Sequence, residues 1–313
     1  MPLLSRRGFT LIELMIALVL LGMVSAAVYK VLVNNQRVYL AQTQQIDLQS
    51  NIRAAVAILP AEFRELDAAD GDITAMGPDS IRMRAMRQLA FLCATPPLGA
   101  GIGQITLTVR QTPMYGERQT FNANDSILIY YEGDPTTRAD DSWLLGQIKS
   151  VVTGPVCNDS GPAGAGTVPH AGFTLTLQPQ WIAGSQFNVP NAITSGAPIR
   201  GFDKVMYRVY QAADGNWYLG QRNLSAGGSI QPVIGPLIGA NGVTFNYYDS
   251  VGVATAVPTN VAMIDIILRA RTAVPVRDAS GVQAYKVDSI TTRVALRNNP
   301  RCGVGSLPPL PCN

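Results

Sequence analysis

An apolar stretch near the N-terminus limits what this chain can fold into more than any other feature. Residues 5–29 read SRRGFTLIELMIALVLLGMVSAAVY, and residues 9–29 form an apolar run with a single charge, Glu13, inside it. A helix needs about 20 consecutive apolar residues to cross a bilayer. The run supplies that length, so we expect a membrane-spanning helix here.

The balance of free energies favours insertion of this run by a narrow margin. It contains 11 Leu, Ile, Phe and Val residues, each of which favours insertion by about 0.3–0.6 kcal/mol, whereas an acidic residue opposes it by about 2.5–3.5 kcal/mol. Arg6 and Arg7 precede the run. Because basic residues tend to stay on the cytoplasmic side, we expect the larger, C-terminal part of the chain on the opposite side.

Glu13 needs an explanation, because a carboxylate inside a membrane span is costly and usually has a functional partner. Residues 9–29 contain no basic side chain that could neutralise it. Cleavage between Gly8 and Phe9 would create an α-amino group only four residues away. That amine could pair with Glu13 of its own chain or of a neighbouring chain.

The order of residues here is similar to a known signal. Residues 8–18, GFTLIELMIAL, resemble the class III signal of type IV pilins and type II secretion pseudopilins. The resemblance implies that a prepilin peptidase removes the basic leader, residues 1–8, by cleaving after Gly8, and that it N-methylates Phe9. It also implies that Glu13 neutralises the N-terminus of an adjacent subunit during assembly.

Two other interpretations of the stretch stay open. In the first, it is an ordinary signal peptide that is cleaved before Ala27, although Glu13 inside the apolar region argues against this. In the second, it is an uncleaved signal anchor, which leaves the Gly-Phe-Thr-Leu-Ile-Glu order unexplained.

The helical pattern continues beyond the apolar run. Residues 30–66 are a polar-to-amphipathic continuation, in which residues 34–47 are expected to be solvated and Pro60 to kink or restart the helix. Apolar residues at helical spacing predict one face packed against a globular body: Leu48, Ile52, Val56, Leu59, Phe63 and Leu66. The predicted helix therefore covers residues 9–66.

The rest of the chain alternates apolar and polar residues with the period of a β-strand. Strands are predicted at residues 80–86, 104–109, 126–131, 172–177, 205–210, 243–248, 262–268 and 289–296, with connections at residues 153–169 and 178–198. Strands without helices between them indicate antiparallel sheets. We therefore expect an α+β protein: a long N-terminal transmembrane helix on a β-rich antiparallel domain, residues 67–297, or two subdomains that meet near Pro198.

All four cysteines follow the apolar run, which indicates disulfides in an oxidising compartment. Three pairings are possible for Cys93, Cys157, Cys302 and Cys312. The compact loop between Cys302 and Cys312 favours that pair, which would close the tail, residues 298–313, and would leave Cys93 to pair with Cys157.

Motifs of catalysis and cofactor binding are missing from the sequence. The single histidine, His170, has no nucleophile motif beside it, and there is no phosphate-binding loop. The acidic residues 67–79 lack the spacing of a calcium loop, so a solvated turn is expected there. Net charge is +3, and the only notable basic run is Arg82, Arg84 and Arg87, which gives no strong nucleic-acid signal. We expect a non-enzymatic protein without a cofactor.

The layout as a whole resembles PilW-like minor pilins and GspJ-like minor pseudopilins, with Lys30 where major pilins have a mid-helix proline. The resemblance implies a minor pilin that helps initiate or cap a type IV pilus, with prepilin peptidase and other pilins as partners. Its expected location is the bacterial inner membrane, with a periplasmic body, and then the filament, at its tip. Alternatives are a type II secretion pseudopilin, or a tip adhesin or DNA-uptake protein. The last is suggested by five aromatics: Trp143, Trp181, Trp217, Tyr247 and Tyr248.

Overall fold

A computed structural model describes residues 10–96, 105–132, 136, 141–160, 167–178, 193–277 and 282–296. The described chain starts with one helix, α1 (Leu11–Arg64), of 54 residues. At 1.5 Å per residue it is about 80 Å long. A long helix packed against a large antiparallel sheet is the α+β architecture predicted from the sequence, which confirms the fold class.

The second half of α1 packs on the sheet through one apolar face. Leu48, Ile52, Leu59 and Phe63 are buried as predicted, but Ala55 is buried in this row and its neighbour Val56 only half-buried. A small alanine at the contact lets the helix lie close to the strands. Burial of five side chains along about 15 residues fixes the helix to the body by the hydrophobic effect.

The helix runs through Pro60 to Arg64, so the expected restart at this proline does not occur. Proline removes one backbone hydrogen bond of a helix. Here Leu59 and Phe63, on either side of it, are only 1% and 0% exposed. Their burial against the sheet keeps the last turn helical.

The remainder of the described chain is almost entirely strands, and the eight predicted strands are all present. Their bounds are β1 (Ile73–Met76), β2 (Ser80–Phe91), β3 (Thr106–Arg110), β4 (Tyr115–Gly116), β5 (Ser126–Tyr131), β6 (Ser142–Ser160), β7 (Thr167–Leu177), β8 (Pro198–Gln211), β9 (Trp217–Asn223), β10 (Gln231–Leu237), β11 (Val243–Tyr248), β12 (Met263–Arg271), β13 (Val276–Arg277), β14 (Gln283–Ala284) and β15 (Val287–Ala295). Every pairing between them is antiparallel.

Strand β8 lies at the centre of the sheet. One edge of β8 pairs with β2 from Pro198 to Arg208. The other edge of β8 pairs first with β5 and then with β9. From β5 the sheet continues through β6, β7 and β3, and from β9 through β10, β12 and β11. The change of partner takes place between Phe202 and Val205, so the sheet branches there.

Two apolar clusters lie on the two sides of this branch. The first joins α1 to β1, β2, the second half of β8, and β9 to β12. The second is formed by β3, β5, β6 and β7 with the other ends of β2 and β8. Both β2 and β8 run from one cluster into the other without a linker. The division of residues 67–297 into one domain, or into two that meet near Pro198, stays a prediction.

Two regions that were expected to be loops contain strand segments. Residues 153–169 contain the end of β6 and the start of β7, which pair as far as Ser160 and Thr167. In residues 67–79, β1 pairs with β2, and Asp72 is buried. Sequence patterns missed both segments because glycine, proline and aspartate suggest turns. Here pairing with distant strands keeps these residues extended, and the ion pair with Arg200 stabilises the buried Asp72.

Candidate functional site

The candidate site is the N-terminal end of α1, where Thr10 caps the helix. The Thr10 backbone N–H donates to Glu13 Oε2 at 2.9 Å, the Thr10 hydroxyl donates to the same oxygen at 2.9 Å, and the Glu13 N–H donates to Thr10 Oγ1 at 3.3 Å. This reciprocal pair is a capping box, which satisfies N–H groups that the first turn leaves unpaired. The spacing Thr-x-x-Glu was readable in the sequence, but sequence analysis missed it.

The capping box fixes where the Glu13 carboxylate lies. It sits at the first turn, next to the backbone that follows residue 9, and the positive end of the helix dipole favours a negative charge there. Gly8 and Phe9, the predicted cleavage and methylation positions, lie outside the described residues. The predicted pairing of Glu13 with an α-amino group stays a prediction.

The first half of α1 is exposed and does not pack against the body. Within the described residues it is the one helix long and apolar enough to cross a membrane. Leu11, Leu21 and Met23 are more than 60% exposed, so this apolar surface makes no contact with the body. Such an area in water is unfavourable at about 25 cal/mol per Å², which makes a bilayer or other helices its natural surroundings.

Polar contacts fix the middle of α1 to the body. The Gln44 side-chain oxygen accepts from the Ala273 and Val274 N–H groups at 3.2 and 3.4 Å. About two turns further on, Asn51 Nδ2 donates to the Gly235 carbonyl at 3.0 Å. These contacts hold the helix at the point where it leaves the sheet.

The buried end of α1 is held by aromatic rings. Phe63, which is 0% exposed, meets the rings of Tyr207 and Phe245 edge-on, with centroid distances of 5.9 and 5.8 Å. Edge-to-face pairs of this kind contribute about 0.5–1.5 kcal/mol each beyond the burial of area. Burial raises the pKa of the Tyr207 hydroxyl well above its ordinary value, so this ring stays neutral.

An ionic network connects α1 to the branch of the sheet. Arg87 donates to Glu62 on α1 at 3.1 Å, to Glu117 at 3.2 Å and to Asp203 at 3.3 Å. Arg118 in turn contacts Asp203 at 2.7 Å. Burial alone would lower the pKa of Arg87, but the surrounding carboxylates raise it above its ordinary value.

The position of Arg87 depends on a β-bulge. Met86 pairs with Phe202 and Gln88 pairs with Gly201, so Arg87 is an extra residue in β2. A bulge changes which side chains face each side of a sheet. Here it directs Arg87 toward α1, between the two apolar clusters.

A second buried ion pair holds the segment that follows α1. Arg200 donates to Asp72 Oδ2 at 3.0 Å, and the Asp67 N–H donates to the same oxygen at 2.9 Å. Asp70 lies close by. Asp70 is exposed at the surface, but partial desolvation raises its pKa to about 6, helped by repulsion from Asp67 and Asp72. Partial desolvation also raises the pKa of Asp67.

Cys93 and Cys157 form a disulfide with a Cα–Cα distance of 5.4 Å, which confirms that pairing. It joins the residues after β2 to the long β6–β7 hairpin, where Cys157 is buried opposite His170. Cys302 and Cys312 lie outside the described residues.

Metal-ligating side chains are not clustered in the part of the chain that the structure describes. Among the described residues, no group of three or more His, Cys, Asp and Glu side chains is placed to hold a metal ion. His170 is exposed on β7.

The aromatics that suggested a binding surface do not form one cluster. Tyr247 is buried and donates to the Gly77 and Ser80 carbonyls. Trp143 packs against Tyr130 and under Arg200. Trp217 and Tyr248 are half-buried; Trp181 lies outside the described residues.

Comparison with protein families gives one finding. Residues 3–29 match the family described as the prokaryotic N-terminal methylation motif. This match includes Gly8, Phe9, Thr10 and Glu13, and it supports a prepilin-type signal and hence a type IV pilin or pseudopilin. The curated proteins and the solved structures contain no match to the chain.

The motif and the helix together support a type IV pilin or pseudopilin. A prepilin motif implies processing by prepilin peptidase and assembly with other pilins, and it favours a structural role. The exposed apolar half of α1 fits membrane anchoring and filament assembly.

Proposed function

We propose that this chain is a minor pilin that helps initiate or cap a type IV pilus. The observation that carries the proposal is the methylation motif over residues 3–29. From Leu11 onward the motif is part of helix α1, which has one apolar half and one half packed under a β-sheet body. Prepilin peptidase removes residues 1–8 after Gly8 and methylates the new N-terminus at Phe9. The protein then stands in the inner membrane with its body in the periplasm.

Assembly transfers the apolar half of α1 from the bilayer to neighbouring helices. Leu, Ile, Val and Met side chains cover it on all sides, so it can pack against several helices at once. Lipid and helix surroundings are both apolar, which means that the transfer does not expose this surface to water. The body moves with the helix because Phe63, Gln44 and Asn51 fix the two together.

Glu13 sets the axial register of this packing. In the single chain its carboxylate accepts hydrogen bonds from Thr10. In the filament it forms an ion pair with the methylated N-terminal amine of residue 9 in a neighbouring subunit. Two opposite charges attract strongly in surroundings of low dielectric constant, so subunits stop at the position where this pair forms.

Size favours a minor over a major subunit. The chain has 313 residues, and the described part of its body contains thirteen strands in one sheet. Such a body is bulky for the repeating unit of a thin fibre but suits a few copies at a tip. A type II secretion pseudopilin uses the same helix and the same Glu13 contact, and the genes that neighbour this one distinguish the two machines.

The first test is the N-terminal mass of the mature protein from membranes. N-methylated Phe9 is the expected result. A start at Ala27 would mean an exported protein without an anchor, and an intact Met1 would mean a plain signal anchor; either result would overturn the proposal.

The second test replaces the carboxylate. Glu13→Gln should leave cleavage intact but reduce recovery of partner minor pilins that co-purify with the protein. Asp47→Asn, which removes an exposed acid from the same helix, is the matched control. Normal co-purification of Glu13→Gln would show that the register argument is wrong.

A further inference from the structure

The face of the sheet that points away from α1 has a different character from the face under it. On β2, Ile81 and Met83 are buried in the cluster that includes the helix. Neighbouring side chains on a strand point to opposite faces, so Arg82 and Arg84 lie on the outer face. The helix therefore leaves this outer face uncovered.

The strand register brings further basic residues to the same outer face. Directly opposite residues of paired strands share a face. Lys204 lies opposite Arg84, and Arg208 lies opposite Ser80. On the next strand, Arg222 lies opposite Met206, which itself is opposite Arg82. We name the five basic residues the basic face: Arg82, Arg84, Lys204, Arg208 and Arg222.

The basic face is compact and carries uncompensated charge. Adjacent strands are about 4.8 Å apart, and alternate residues on a strand about 7 Å apart, so five cations share an area of roughly 10 by 14 Å. Four of the five are exposed and Arg84 is half-buried. Within the described part of the chain, none of them forms an ion pair with a carboxylate.

Hydrogen bonds position two of these side chains without neutralising them. Arg84 Nη1 donates to the Asp70 carbonyl at 3.2 Å, and Arg222 Nε donates to the Gly228 carbonyl at 2.8 Å. Arg87 provides the contrast, because the bulge in β2 takes it to the other face, where three carboxylates surround it. Like charges so close together repel, and a surface that carries them attracts anionic partners.

The apolar side chains of this face are not available for insertion into a membrane. Phe202 is 3% exposed under the Arg84 guanidinium, whose central carbon is 5.5 Å from the ring centroid, and Met206 is 8% exposed. Tyr210 and Tyr218, which pair at one end of the face, are half-buried. Cations on a flat surface without protruding apolar groups suit a polyanion that stays in water.

We propose that the basic face binds DNA through its phosphate backbone, independently of base sequence. Arginine and lysine on a flat surface are the groups that contact phosphates, whereas base reading needs an element that enters a groove. The inference goes beyond the proposed function and does not depend on it, because the face is part of the folded body. In a filament whose core is made of helices, the face would point outward.

The test measures binding of the full-length protein, in neutral detergent, to a fluorescent 30-base-pair duplex over a range of salt concentrations. The variant Arg82→Gln/Arg208→Gln/Arg222→Gln removes three exposed charges from the face. Lys149→Gln/Arg277→Gln/Lys286→Gln is the matched control, because it removes three exposed charges from other strands and loops. Each lost phosphate contact lowers the slope of log K against log salt by about 0.9.

The proposal expects the face variant to lose about 3 from the salt slope and to bind at least about tenfold more weakly at 0.1 M salt. The control should bind as the wild type does. Three results would overturn the proposal: no binding by the wild type, equal weakening in both variants, or tighter binding to anionic phosphatidylglycerol vesicles that only the face variant loses. Circular dichroism of both variants confirms that the sheet is intact.

Discussion

Replacement of Phe63 tests whether the end of α1 and the sheet form one stable unit. The ring is 0% exposed and meets Tyr207 and Phe245 edge-on. Phe63→Ala removes six heavy atoms and leaves a cavity that the flanking strands cannot fill, which costs about 3–5 kcal/mol. For a body of this size, 1 kcal/mol corresponds to about 2–4 °C in Tm. We therefore expect a decrease of about 6–20 °C.

The measurement is thermal unfolding of the purified full-length protein in detergent, followed by near-ultraviolet circular dichroism. Leu32→Ala is the control, because Leu32 lies on the same helix but is 56% exposed; its Tm should change by less than 2 °C, since surface substitutions are within about 0.5 kcal/mol. Phe63→Leu, which keeps most of the apolar volume, should lie between the two. Equal Tm values for Phe63→Ala and Leu32→Ala would refute the packing argument.

Three further predictions concern other contacts of the body. Arg87→Met leaves Glu62 and Asp203 without their shared cation and should cost about 3 kcal/mol in urea unfolding; a double-mutant cycle with Glu62→Gln should show coupling, and additive effects would contradict the network. The contribution of Asp70 to stability should decrease as pH rises from about 4 to about 6, because Asp70, with a pKa raised to about 6 by partial desolvation and by repulsion from Asp67 and Asp72, binds its proton more tightly when folded than when unfolded; the difference in stability between wild type and Asp70→Asn should change over this pH range, and a difference that stays constant would contradict the prediction. Cys93→Ser/Cys157→Ser opens a loop of 64 residues and should cost about 4 kcal/mol by the chain-entropy estimate; wild-type stability of this double variant under oxidising conditions would contradict it.

Strand prediction worked where the two faces of a strand differ in polarity. Residues 243–248 alternate in this way and are a strand with those bounds. Residues 126–131 are also a strand with the predicted bounds, although there three consecutive residues, 127–129, are buried. The prediction failed for β6, β9 and β10. Their glycines and prolines suggest turns, but pairing with neighbouring strands, such as Gly220 with Pro232 and Leu237 with Ala270, holds them extended.

The candidate site also has a part that the sequence predicts and a part that it does not. Glu13 and the motif around it are local, since a capping box needs residues only three positions apart. The ionic network is not local. Arg87 and Asp203 are 116 residues apart, and their meeting depends on a bulge that no periodicity indicates.

The sequence by itself determined the apolar helix, the position of its charge and the prepilin motif, because these properties belong to one continuous stretch whose composition decides its solvent. It also determined that a β-rich body follows. Only the tertiary structure decided which arginines are paired and which are displayed: register and one bulge place Arg87 under the helix and leave Arg82 and Arg84 on the outer face. Pairing between distant strands decides which face of the sheet a side chain lies on and which side chains it contacts. The local spacing of residues does not contain this information.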